Sequence, residues 1–199
     1  MKRILWFVAA LAASSFGQAQ NFYSWSSGKG GGLAGGGFSM LSVNRFKTGS
    51  TALQVTALGY EVNDTRGVGQ VGLFDDQRRL LTWANVSLST TPEDGYYWAN
   101  ISSFNLQPST TYYLAGFIQI GNRYVYNTNT ASLPSGVTDL GTFYSAQNWG
   151  GTIDNPEDSK QFRHYIGNMR TQIVPEPASL SAFTLMLVGL VARRKKPGA

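Results

Sequence analysis

YYWANISSFNLQPSTTYYLAGFIQI, Tyr96 to Ile120, decides the fold. Two apolar-aromatic runs flank Gln107-Pro108-Ser109-Thr110, where proline and serine are turn formers. In the first run, alternation puts Tyr96 and Trp98 on one face and Tyr97, Ala99 and Ile101 on the other. In the second, Tyr112, Leu114, Ile118 and Ile120 share a face opposite Tyr113 and Gln119. Working outward, Phe38 to Lys47, Ala52 to Val62, Val68 to Phe74, Arg79 to Leu88 and Arg123 to Asn127 have the same β-rich character. They are broken at Thr48-Gly49-Ser50, Asn63-Asp64, Asp75-Asp76, Pro92-Glu93-Asp94-Gly95 and Gly121-Asn122. Leu80, Ala84, Val86 and Leu88 form one face of their strand, leaving Trp83, Asn85 and Ser87 on the other. Short strands about a dozen residues apart, without long helical patterns between them, predict an all-β fold. The expected domain is a single antiparallel β-sandwich, jelly-roll-like, over 38–173. One short helix is expected late in it: Asp154 or Asn155 caps, Pro156 opens, Glu157 and Asp158 suit the first turn, and Gly167 ends it. Asn168 to Val174 then forms a closing strand. Residues 20–37 read as a flexible glycine-rich segment, dense in glycine from Gly28 to Gly37 and without hydrophobic period.

Both ends read as signals. Lys2 and Arg3 precede an apolar stretch from Ile4 to Phe16, and Gly17-Gln18-Ala19 puts small residues at −3 and −1. That pattern predicts a signal peptide over 1–19, cleaved after Ala19. At the other end Pro175-Glu176-Pro177 fixes a turn that no helix can cross. The uncharged run Ala178 to Ala192 follows, then Arg193-Arg194-Lys195-Lys196. At 15 residues the run spans about 22 Å as helix against about 30 Å of hydrocarbon, so crossing requires thinning or snorkelling. The order of turn, apolar helix and cationic stop at the chain's end resembles the PEP-CTERM sorting signal of Gram-negative bacteria. That resemblance covers 174–199 and implies processing near Pro-Glu-Pro by an exosortase, after transient anchoring of helix 178–192 in the inner membrane.

The charge belongs to these ends. Lys2, Arg3 and the four C-terminal cations are 6 of the 16 Lys and Arg, and Gln20 to Val174 keeps 10 basic against 10 acidic residues. A neutral body leaves no nucleic-acid footprint. The chain has no cysteine, which removes disulfides, thiol nucleophiles and soft metal sites. Within the body, "VTALGYEV", "VGLFDDQRRLL" and "YYWANISSFNLQPSTTYYLAGF" resemble successive strands of an uncharacterised secreted β-sandwich domain common in PEP-CTERM proteins. The departure is Gln77-Arg78-Arg79, where that pattern has a glycine turn.

Catalytic chemistry is sparse. His164 is the single histidine, so no multi-histidine metal site exists, and no nucleophile elbow accompanies it; an exposed or capping role is expected. Gly67-Val68-Gly69-Gln70-Val71-Gly72 spells a dinucleotide fingerprint but leads into a strand, not a helix. Asp75-Asp76, and Asp154 with Glu157 and Asp158, offer oxygen ligands suited to Ca²⁺, though neither matches an EF-hand loop and turn acids commonly cap or stay solvated. No metal site and no cofactor is assigned. Trp83, Trp98 and Tyr113 either bridge strands and fill the core or stack on sugar rings. The expected function is a non-enzymatic, exported, exosortase-processed surface or matrix protein associated with exopolysaccharide or biofilm. A carbohydrate-binding module using those aromatics is the alternative, and an extracellular glycan hydrolase a further one.

Overall fold

The computed structural model describes residues 18–25, 33–35, 39–61, 68–119, 123–125, 131–145, 153, 157–158 and 164–174. The chain divides into two units, Gln18–Gln172 and a second made of Met1–Gly17 with Ile173–Ala199. The expected signal-peptide core and all of the tail beyond Val174, with Pro175, Glu176, Pro177, helix 178–192 and Arg193 to Lys196, lie outside the described residues. Among the described residues no helix is long and apolar enough to cross a membrane.

The first unit is all-β. In chain order the strands are β1 Gln20–Asn21, β2 Leu33–Gly35, β3 Met40–Lys47, β4 Leu53–Glu61, β5 Val68–Phe74 and β6 Leu80–Ser87. They continue with β7 Tyr96–Leu106, β8 Thr111–Ile118, β9 Arg123–Val125, β10 Thr138–Ser145, β11 Glu157–Asp158 and β12 Gly167–Ile173. One sheet has the order β1-β12-β4-β7, the other β11-β10-β3-β8-β5-β6, and β2 pairs with β9 in a ladder of its own. The two larger sheets pack as an antiparallel sandwich.

Alternation places the core as expected. Tyr97 from β7 and Tyr112, Leu114 and Ile118 from β8 point inward and meet Leu58, Tyr60, Val71, Leu73 and Met169. The six-stranded sheet is apolar on its other face too, where Leu41, Val43, Phe74, Tyr113, Ala115 and Phe143 gather around Ile153. Turns follow their chemistry. Asp94 and Gly95 both take positive φ, 53° and 79°, in a tight turn closed by reciprocal Glu93 and Tyr96 backbone hydrogen bonds. The β7–β8 corner is pinned by Thr48, whose hydroxyl donates to the Gln107 carbonyl at 2.7 Å and accepts from the Thr110 N–H at 2.9 Å.

Three expectations are corrected. Glu157 and Asp158 do not open a helix: they pair as β11 with Tyr144 and Phe143, and His164 to Ile166 run on without helix into β12. Local capping signals lose here to ladder bonds along the edge of β10. Residues 20–25 are not a flexible lead-in, because Gln20 and Asn21 pair with Thr171 and Arg170 while Phe22 and Tyr23 are buried in the main core. Burial of two aromatic rings, together with the backbone bonds to β12 and to Ser132, offsets the cost of ordering six residues. Of the glycine-rich stretch, Leu33–Gly35 lie in the ladder with β9, and the flanking glycines lie outside the described residues. Finally, Leu80 turns to the face opposite Ala84, Val86 and Leu88, because the β5–β6 register shifts between Leu73 and Phe74.

The missing glycine at Gln77-Arg78-Arg79 is resolved by Arg78 itself, which adopts φ 64° in the left-handed region glycine ordinarily occupies. Asp75 stabilises the turn. Its carboxylate accepts from the Gln77 and Arg79 N–H groups at 2.9 and 2.8 Å, and from Arg79 Nε at 2.8 Å.

Candidate functional site

Among the described residues Trp83 is the aromatic side chain the fold leaves most open. It sits on edge strand β6, 46% exposed, on the outer face of the six-stranded sheet. Across the ladder it faces Gly72, whose missing side chain leaves flat backbone beside the indole. Two residues along, Asn85 faces Gln70, and the Gln70 amide donates to the Asn85 carbonyl oxygen at 3.2 Å. Val68, also 46% exposed, faces Ser87 one step further. The result is a shallow strip with an indole at one end, an amide pair in the middle and an apolar rim at the other. It carries no charged side chain of β5 or β6. An exposed indole next to fixed amides can stack on the apolar face of a sugar ring while the amides exchange hydrogen bonds with its hydroxyls.

Trp98 lies elsewhere, on the outer face of the four-stranded sheet. Its ring rests against Gly59, where a Cβ would come within 2.7 Å of it, and the Arg170 guanidinium stands 4.4 Å from the ring centroid. The indole N–H donates to the Glu93 carbonyl at 3.1 Å, and the Arg170 guanidinium pairs with the Glu93 carboxylate. The Asn21 amide donates to Asp94 at 2.8 Å. Trp98 is thus half-buried and engaged, a clamp between the β6–β7 turn, β4 and β12. Tyr113 is on the same sheet face as Trp83 but is buried, edge-to-face with Phe143 at 5.9 Å. The structure therefore does not bring Trp83, Trp98 and Tyr113 onto one surface. Gln70 and Asn85 are the side chains that accompany Trp83; alternation puts Asn85 on its face, but sequence reasoning assigned neither to a site.

The titratable groups fill structural roles. His164 is buried, not exposed or capping, with its ring 4.7 Å from Tyr144. Its carbonyl accepts from the Ser42 hydroxyl at 3.0 Å, and burial holds the imidazole down at about 4. The unfolded chain thus takes up this proton first, near pH 6.5, while the folded chain resists it down to about pH 4. Stability is expected to fall as pH drops through that window, by at most about 1.4 kcal/mol per pH unit from this group. Urea midpoints at pH 7, 5.5 and 4.5 check it, and His164→Gln should flatten the slope. Tyr96 is buried with its hydroxyl donating to the Tyr165 carbonyl at 2.8 Å; burial, then the nearby Glu61 carboxylate and Tyr23 and Tyr165, push it well above the usual tyrosine range. Burial pushes the Asp75 carboxyl up, yet the Arg79 N–H, side chain and charge with the Gln77 N–H hold it below its usual value. That carboxylate is spent on its own turn, and no cluster of three or more His, Cys, Asp or Glu suited to a metal occurs among the described residues.

Ala19 is exposed, directly ahead of β1. No protein-family model, curated protein or solved structure matches the chain.

Proposed function

We propose that the chain is an exported, exosortase-processed surface or matrix protein, non-enzymatic, whose sandwich holds neutral polysaccharide on the β5–β6 strip. Supporting the fold reading, the sheets without β2, β9, β10 and β11 reduce to β1-β12-β4-β7 and β3-β8-β5-β6, the strand order of a jelly roll. Export rests on the sequence: the signal-peptide pattern ending at Ala19 and the order Pro175-Glu176-Pro177, apolar run, Arg193 to Lys196. The first strand begins at Gln20, so every strand of the sandwich lies beyond the proposed cleavage after Ala19. The inner membrane holds the chain transiently through 178–192, and the product ends at the cell surface or outside it.

The observation that carries the binding role is Trp83: a large apolar ring held in the open beside the Gln70–Asn85 amide pair. No ion is needed in this reading, and no nucleic acid, because the body is neutral. Weighing the product from cells with and without an exosortase tests the processing half. A chain shortened near Pro175 only when the enzyme is present is expected. Full-length protein in both strains overturns it. Affinity electrophoresis through a panel of exopolysaccharides tests the binding half, and no retardation on any of them overturns that.

A further inference from the structure

The two flanks of the sandwich end differently. On one side the sheets finish in β1 and β11, each 2 residues long. Very short edge strands are a standard protection against pairing with another chain. On the other side they finish in β6 and β7, 8 and 11 residues long. Neither strand contains a lysine, any other charge or a proline, so both lack the residues that usually guard an edge. The bulges spare Thr82 to Ser87 on β6 and Tyr96 to Asn100 on β7, which leaves each a regular stretch to offer. Between the two edges, Leu81, Ala84, Ala99, Ile101 and Phe104 pack on the core yet are only partly buried.

The geometry points to a second copy of this chain docking on the β6–β7 flank, with β6 pairing to its own copy and β7 to its own copy about a two-fold axis. Both sheets then continue through the contact. Self-complementarity selects a second copy as the occupant. In an isologous antiparallel pair the residues near the axis face themselves, so a charge there opposes an identical charge. A flank without a charge over either strand meets that demand, and a neutral body adds no long-range repulsion. The size also suffices. Strands of this length run about 26 and 36 Å, and two sheets about 10 Å apart with a side-chain layer outside each make a flank about 20 Å thick, roughly 600 Å² per copy and about 1,200 Å² in all. That is the lower end of specific interfaces, so the pair is a reversible dimer. The proposal stands apart from polysaccharide binding and from processing, since neither is needed for the flank to pair.

Sedimentation velocity on the protein purified from its producing cells, without added polysaccharide, tests it. A monomer–dimer equilibrium in the micromolar range is expected, little changed between 50 and 500 mM salt (about 14 and 4 Å of screening length) because no charges pair. Asn85→Lys and Asn100→Lys, at exposed positions on the two strands, should each weaken the dimer at least tenfold. Slowed hydrogen exchange along β6 in the dimer should vanish in both variants. Unchanged circular dichroism and melting show that the variants are folded. A monomer at every concentration overturns the proposal, and so does a dimer that neither lysine weakens.

Discussion

Replacing Tyr165 with alanine is expected to lower the melting temperature by roughly 6–20 °C. Tyr165 belongs to no strand, yet it is wholly buried. Its ring lies 4.6 Å from Tyr23 and 5.3 Å edge-on to Trp25, so it holds the first residues of the domain against its last strand. Its hydroxyl donates to Asp139 at 3.1 Å at the start of β10, and its carbonyl accepts from Tyr96 at the start of β7. Alanine removes the ring contacts, at about 3–5 kcal/mol for a buried aromatic, and takes the hydroxyl from Asp139. Phenylalanine removes the hydroxyl alone and should cost about 0.5–1.5 kcal/mol. Thermal melts of the two variants, with the parent chain, check the ratio. Equal losses would mean that the ring is not what joins the ends.

Trp83→Ala carries the largest expected functional effect, a loss of polysaccharide affinity of about tenfold or more, since truncating an aromatic anchor commonly removes 2 kcal/mol or more. Its melting temperature should fall much less than after loss of a buried ring, because the indole is 46% exposed and belongs to neither core cluster. Trp98→Ala should behave in the opposite way. It breaks the stack with Arg170 and the bond to Glu93, so stability suffers while affinity holds. Affinity electrophoresis and melts on both variants separate the two tryptophans. Affinity lost with Trp98 and kept with Trp83 would move the site to the other sheet.

The sequence carried the middle of the domain clearly. β5 and β7 run over the residues that β-rich composition between turn signals marks. Elsewhere the signal is physically absent. β10 reads Thr-Asp-Leu-Gly-Thr-Phe-Tyr-Ser, and its inward Thr142 is buried because the Asn44 amide donates to it at 2.9 Å. A buried polar pair looks like a loop in one dimension. Gly141, at φ 110°, also breaks the strand's period beside a register shift. Phe22 and Tyr23 are too short a run to show any period, and the glycines after them suggest slack. The strip around Trp83 was half legible. Trp83 faces outward by alternation, but the Gln70–Asn85 match depends on the β5–β6 register, and the shift at Leu73 defeats counting back from the turn.

The position of β12 has a mechanical consequence. It is the last strand of the sandwich, but it does not lie at an edge: β1 flanks it on one side and β4 on the other. Any pull applied through the segment after Ile173 runs along β12, while the bonds to its neighbours stand across it. Such a pull loads those bonds together in shear and cannot unzip them one at a time. A domain hung from its C-terminal side would resist drag as a rivet does, with the short strand β1 as the outer half of the joint.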